Sequence, residues 1–263
     1  MTKFDEATQA IRVDENTYDV CLDPGYQIGG PLNGGYLMAV ILRAAVDDSP
    51  FEHPVSTTSQ FHRSPVAGPA QVRVERLKAG RTVAFTRASL VQDGVTQIES
   101  LVTTATLAPV EPVYTADPGH VMPPPEECAQ LPAPKPESNM MLNGQVELLF
   151  DPPTIGWLTG RPTGRPEARA YFRLREPQDP DPYVLALAID VLPPVVFSAG
   201  LRGWAPTVDL TWHLRALPAP GLLTLIGGGR LISDGWFDEE VEAWDSAGRL
   251  VAQARQLARV GRS

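Results

Sequence analysis

Lysine is nearly missing from this sequence: Lys3, Lys78 and Lys135 are the whole supply, and arginine carries the remaining positive charge. With a net charge of -9 there is no dense basic face to neutralise phosphates, which argues against a nucleic-acid partner. Cysteine is as scarce. Cys21 and Cys128 have no metal-ligand spacing, and reduced thiols in a cytoplasmic protein are the simplest expectation. No two of His53, His62, His120 and His213 form a His-x-x-x-His pair, so no metal site is expected. No apolar stretch approaches the ~18–20 residues that cross a bilayer, so no membrane partner is expected. The opening Met-Thr-Lys-Phe-Asp-Glu lacks the apolar core of a secretion signal. A Gly-x-Ser-x-Gly elbow is missing too, which leaves a serine nucleophile on an α/β-hydrolase frame unsupported.

What the chain does have is repetition. Ser56-Thr57-Thr58-Ser59-Gln60-Phe61-His62 runs on to a proline turn at Pro65, and Thr207-Val208-Asp209-Leu210-Thr211-Trp212-His213 runs on to one at Pro218. Upstream of each lies an apolar run of helical length, residues 36–46 and 191–200. Downstream of each come two strands split by a hairpin signal, Gln92-Asp93-Gly94 and Asp245-Ser246-Ala247-Gly248. A duplicated helix-and-meander unit predicts one buried interface between copies, where ligands commonly sit. Its 263 residues, 43% of them hydrophobic, suffice for two fused small domains or a single large one.

The first unit is expected over residues 1–108, with strands at 18–22, 56–61, 70–79, 82–92 and 95–107. Prolines then crowd residues 109–140, and because they cannot donate ladder hydrogen bonds the stretch reads as an extended linker. The second unit, 141–263, has expected strands at 146–150, 169–174, 206–214, 221–232, 237–244 and 250–260, with a loop over 151–166. The predicted class is α+β: a double hotdog, two curved antiparallel sheets each wrapped around a central helix. An unrelated pair of α+β domains is the plainer alternative.

Asp190 is the sharpest position, a lone carboxylate within about a dozen apolar residues. It either works chemically or caps a helix starting at Val191, and the two are compatible. Thr207, at the start of a strand, and Gln256, on the small-residue face shared with Ala252 and Ala254, are its expected companions. The loop Gly29-Gly30-Pro31-Leu32-Asn33-Gly34-Gly35 places backbone N–H groups at a helix start, a nest suited to a developing oxyanion. The plain alternative is a helix start capped by Asn33. His53, His62 and His213 read as structural strand residues.

These residues resemble the acyl-CoA thioesterase II family, in its shorter thioesterase-like, double-hotdog branch. The resemblance rests on Gly29-Gly30 with Gly34-Gly35, on Asp190-Val191-Leu192-Pro193, on Thr207-Val208-Asp209 with Trp212-His213, and on Gln256-Leu257-Ala258-Arg259. It implies an acyl-CoA thioester hydrolase in which Asp190, Thr207 and Gln256 jointly hold the hydrolytic water. Asn33, Gly34 and Gly35 would then bind substrate, with no cofactor. It also implies pairing of outer sheet faces into a homodimer or larger assembly. The rivals are a β-hydroxyacyl-thioester dehydratase or hydratase on the same fold, and a non-catalytic acyl-CoA binding module.

Overall fold

The computed structural model describes residues 1–116, 119, 121–131 and 140–261. His120, Lys135 and the expected linker prolines at 132, 134 and 136 lie outside the described residues. The first half contributes α1 (Lys3–Ala7), β1 (Ala10–Asp14), β2 (Thr17–Leu22), α2 (Gly34–Asp47), β3 (His53–Phe61), β4 (Gly68–Ala79), β5 (Ala84–Gln92) and β6 (Val95–Ala105). Among the described residues, the second contributes β7 (Ala129–Gln130), β8 (Val146–Phe150), β9 (Glu167–Leu174), α3 (Pro182–Ala188) and β10 (Thr207–Leu214). It ends with β11 (Leu223–Gly228), β12 (Ile232–Ser233), β13 (Trp236–Trp244) and β14 (Leu250–Arg259).

All the strands belong to one antiparallel sheet, in the order β1-β2-β4-β5-β6-β3-β10-β14-β13-β11-β9-β8-β7, with β12 paired to β13. Helix α2 touches every strand from β1 to β6. Six strands side by side span ~24 Å, twice the width of a helix, so the sheet must curl around α2 to reach it from all sides. Tyr36, Met38, Ala39, Ile41, Leu42, Ala44 and Ala45 are accordingly sealed from solvent, which is why that helix is apolar all round. Helices α2 and α3 pack directly on each other inside the sheet.

The two halves join where β3 pairs with β10, Ser56 opposite His213 and Gln60 opposite Asp209. Equivalent strands running antiparallel to each other are what a two-fold arrangement of copies produces. The join turns what would be two sheet edges into interior strands.

Several expectations need correction. The second helix is not at 191–200: α3 occupies Pro182–Ala188, and residues 195–197 form only a 3-10 turn. Asp181 caps α3 by accepting from Tyr183 and Val184 N–H, and Pro182 fits its first turn. Pro193 and Pro194 lack the N–H groups that would carry a helix onward. Asp190 therefore is not the N-cap of a helix; it stands just beyond the C-cap of α3, its N–H on Leu187 O at 3.2 Å. Within the stretch read as linker, Ala129–Gln130 adds to the sheet edge as β7. The Tyr171 hydroxyl donates to Pro123 O, tying that stretch down. The loop over 151–166 contains a 3-10 run at Pro152–Thr159.

Candidate active site

The site forms where the first turn of α2 meets the last turn of α3, and two glycines make that approach possible. A Cβ on Gly35 would stand 2.5 Å from Ala186 O, and one on Gly34 would stand 2.9 Å from Asp190 Oδ2 and 3.0 Å from the Phe61 ring. Asn33 caps α2, its Oδ1 accepting from Tyr36 N–H at 2.8 Å. The other end of the same amide donates to Asp190 O at 2.8 Å and to Oδ2 at 3.2 Å. Gly35 N–H donates to Oδ2 at 2.7 Å, and Gly34 N–H also faces the carboxylate.

Residue 190 as a whole is partly exposed, with its carboxylate turned in against α2. Burial raises its pKa to about 7, and the donors from Gly35, Asn33 and Gly34 hold it back from rising further. Substituting Asn33→Ser keeps a capping oxygen but deletes the amide donor. A donor to the ionised form is then lost, so the carboxyl pKa must rise. A hydrogen bond to a charged group is worth ~1.5–3 kcal/mol, so the rising limb of a pH–activity profile should move up by about one to two pH units. An unmoved limb would show that the titrating group is not Asp190.

Thr207 and Gln256 form a second cluster on neighbouring strands. The Thr207 hydroxyl donates to Gln256 Oε1. Gln256 turns inward with Ala252, Ala254 and Ala258, where strand alternation places it. Its side chain also faces Glu239 on β13, directly opposite in the ladder. Glu239 is 3% exposed, and its Oε2 accepts from Val195 N–H at 3.0 Å. Burial pushes Glu239 up to about 8, and the nearby charge of Asp190 adds to the rise. No hydrogen bond joins Asp190 to Thr207 or Gln256 among the described residues. Glu239 lies between the clusters, facing Gln256 and within electrostatic reach of Asp190.

Glu239 escaped the reading of the sequence. The signal was there: alternation along β13 puts Glu239 on the face of Phe237, Val241 and Ala243, all buried. The nest expected for an oxyanion also needs revision. The N–H of Gly35 is spent on the Asp190 carboxylate, a stronger acceptor than a thioester oxygen.

Matching ladder rows in the two halves show where the halves differ. Leu210 stands opposite Gln256, which stands opposite Glu239. In the first half the same row is Ser59, Ser100 and Ala88. The first half thus has a serine and an alanine where the second has glutamine and glutamate, and among the described residues this row carries the pair in the second half alone. Histidine has no part in it among the described residues. His62 and His213 are exposed, and His53 Nδ1 accepts from Leu107 N–H at 3.0 Å.

The chain belongs to the acyl-CoA thioesterase II family. Residues 22–108 match the acyl-CoA thioesterase N-terminal domain, and residues 125–260 match the C-terminal domain. A crystal structure of a candidate thioesterase II from Thermobifida fusca is 45% identical, covers 100% of this chain and 98% of its own, and superposes with a TM-score of 0.92. A hot dog fold protein of unknown function from Alicyclobacillus acidocaldarius superposes at 0.85 with 20% identity, over 100% and 99% of the two chains. An uncharacterised Mycobacterium tuberculosis protein is 30% identical over 97% of this chain and 94% of its own. The dehydratase domain of RzxB from Pseudomonas fluorescens shares the fold alone, with a TM-score of 0.57 and 11% identity over 95% and 96% of the chains. These comparisons support a thioester hydrolase of hotdog fold. No helix among the described residues is long and apolar enough to cross a membrane.

Proposed function

We propose that this protein hydrolyses a fatty-acyl-CoA thioester to the free acid and CoA, using a water held by Asp190, Thr207 and Gln256 and no cofactor. The observation that carries this reading is the Asp190 carboxylate held against the first turn of α2 by Gly35 N–H and the Asn33 amide, with burial raising its pKa to about 7. A general base works best with a pKa near the operating pH. In the proposed step the water oxygen attacks the thioester carbonyl carbon and its proton passes to Asp190. The C–S bond then breaks, and the CoA sulfur leaves with the proton that Asp190 took, which restores the carboxylate. The positive end of α2, which already steadies the carboxylate, would also face the thioester oxygen as charge develops there. Phe61, against Gly34, and Trp204, beside Gly29, would border the substrate's approach.

We read the halves as a double hotdog, units 1–108 and 141–263 joined by 109–140, working in the cytoplasm as a homodimer or larger assembly. Sedimentation of the purified chain tests the assembly. The activity is tested by thiol release from a panel of acyl-CoAs, run beside hydration of crotonyl-CoA. Thiol release without hydration supports hydrolysis. Hydration alone would make the protein a hydratase, and binding without either reaction would make it an acyl-CoA binding module.

If Thr207 and Gln256 hold one water together, their losses will not add, because residues acting as a unit fail together. The double variant Thr207→Val/Gln256→Ala should be little slower than the slower single variant. Fully multiplicative losses in kcat would place the two in separate roles.

A further inference from the structure

The sheet interior holds a second buried carboxylate that the proposed hydrolysis does not use. Glu239 reaches the site from β13, and its surroundings are specific. Val195 N–H donates to it from the segment after α3, and the Gln256 side chain faces it from β14. Gly229 is packed against the β13 backbone at Asp238. The one charged group that faces Glu239 is Asp190; no Arg, Lys or His among the described residues does. A buried carboxylate without a cation beside it is costly to keep, and such groups cluster at functional sites.

The task follows from counting donors and acceptors. A primary amide has one accepting and one donating end. An ionised carboxylate only accepts, so it takes the donating end of Gln256 and leaves the carbonyl for the Thr207 hydroxyl. With its own proton spent on Gln256, Thr207 offers only lone pairs to a neighbouring water. A nucleophilic water needs acceptors for its hydrogens and a free lone pair toward the carbonyl carbon. Asp190 and Thr207 then supply those acceptors, and Gln256 takes part in holding the water through Thr207.

We infer that Glu239 is a positioning residue, which fixes the amide orientation of Gln256 and thereby makes Thr207 an acceptor toward the hydrolytic water. A protonated Glu239 acts in the opposite sense. Its O–H donates to the Gln256 carbonyl, the amide turns its N–H toward Thr207, and the Thr207 proton swings toward the water's lone pair. The competent arrangement therefore requires two ionisations, that of Asp190 and that of Glu239. The first half lacks this relay, since Ser100 and Ala88 stand in its place.

The inference deepens the proposed hydrolysis and rests on it, and its test has one arm that needs no activity. In the full-length protein, the Gln256 side-chain amide NMR signals should shift with pH as Glu239 titrates, and Glu239→Gln should abolish that shift. Signals that do not titrate, or that titrate unchanged in the variant, would overturn the inference even if no acyl-CoA is turned over. In that case the thioesterase reading would fail separately, on the absence of thiol release. In the kinetic arm, kcat/KM of the wild type should rise with pH in two steps and that of Glu239→Gln in one, with KM within about twofold. Glu239→Met, which can hold neither end of the amide, should lose at least tenfold in kcat, and should lose nothing further when Gln256 is already Ala. A structural residue would change the melting temperature and leave the number of steps at two.

Discussion

Asp190→Asn will fold normally and turn over acyl-CoA at least about a hundredfold more slowly, in line with the loss of a positioned general base. The variant is nearly the same size, and its amide oxygen can still accept from Gly35 N–H and the Asn33 amide, as Oδ2 does now. What it lacks is a site for the water's proton. The fold should even gain on the alkaline side. Because the Asp190 pKa is raised from 3.8 to about 7 in the folded protein, the folded state binds more protons than the unfolded chain between those values. Its favourable contribution is complete below the unfolded pKa and is lost as pH rises through the folded one. The melting temperature of Asp190→Asn relative to wild type should therefore climb between pH 5 and pH 8. A variant with near-native turnover removes Asp190 from the mechanism, and a flat melting difference shows that the carboxyl is not raised by burial.

The second large effect is expected at Gly35. In an exposed helix an alanine would be worth ~1 kcal/mol more than glycine. Here its Cβ would lie 2.5 Å from the carbonyl oxygen of Ala186 and 3.0 Å from Leu187 Cα, both backbone atoms that yield only if α2 and α3 move apart. Overpacking of this kind costs ~1–3 kcal/mol, and each kcal/mol lowers the melting temperature by ~2–4 °C in a chain this long. Gly35→Ala should melt several degrees lower. It should also lose most of its activity, because the N–H that steadies Asp190 moves with the helix. Gly34→Ala makes the contrast. Its Cβ meets side-chain atoms of Asp190 and Phe61, so activity should fall with a much smaller change in melting temperature. A wild-type melting temperature for Gly35→Ala would mean that the two helices do not approach this closely in solution.

Much of this arrangement was legible in the residues. The all-round apolar face of 36–46 announced an enclosed helix, and the strands on either side of Gln92-Asp93-Gly94 fell where turn chemistry put them. Asp190 stood out because a carboxylate in apolar sequence is expensive wherever it folds. Hydrophobicity alone misplaces the second helix, because Val184–Ile189 and Val191–Phe197 are both apolar runs and it cannot say which of the two coils. The capping signal Asp181-Pro182 and the stop at Pro193-Pro194 settle it, and both are local.

What the sequence determined by itself is therefore the local grammar: where strands and helices start, which faces are apolar, and that the pattern occurs twice. The tertiary structure decided which polar groups meet. Asn33 and Asp190 are separated by 157 positions, and Thr207 and Gln256 by 49. They are joined only by the packing of α2 on α3 and by the register of β10 with β14. The same holds for Glu239, whose partners Gln256 and Val195 come from an adjacent strand and a distant turn. Periodicity places a side chain on a face, but long-range pairing sets its neighbours, and those neighbours fix whether a buried carboxylate is a base, a lever or merely a cost.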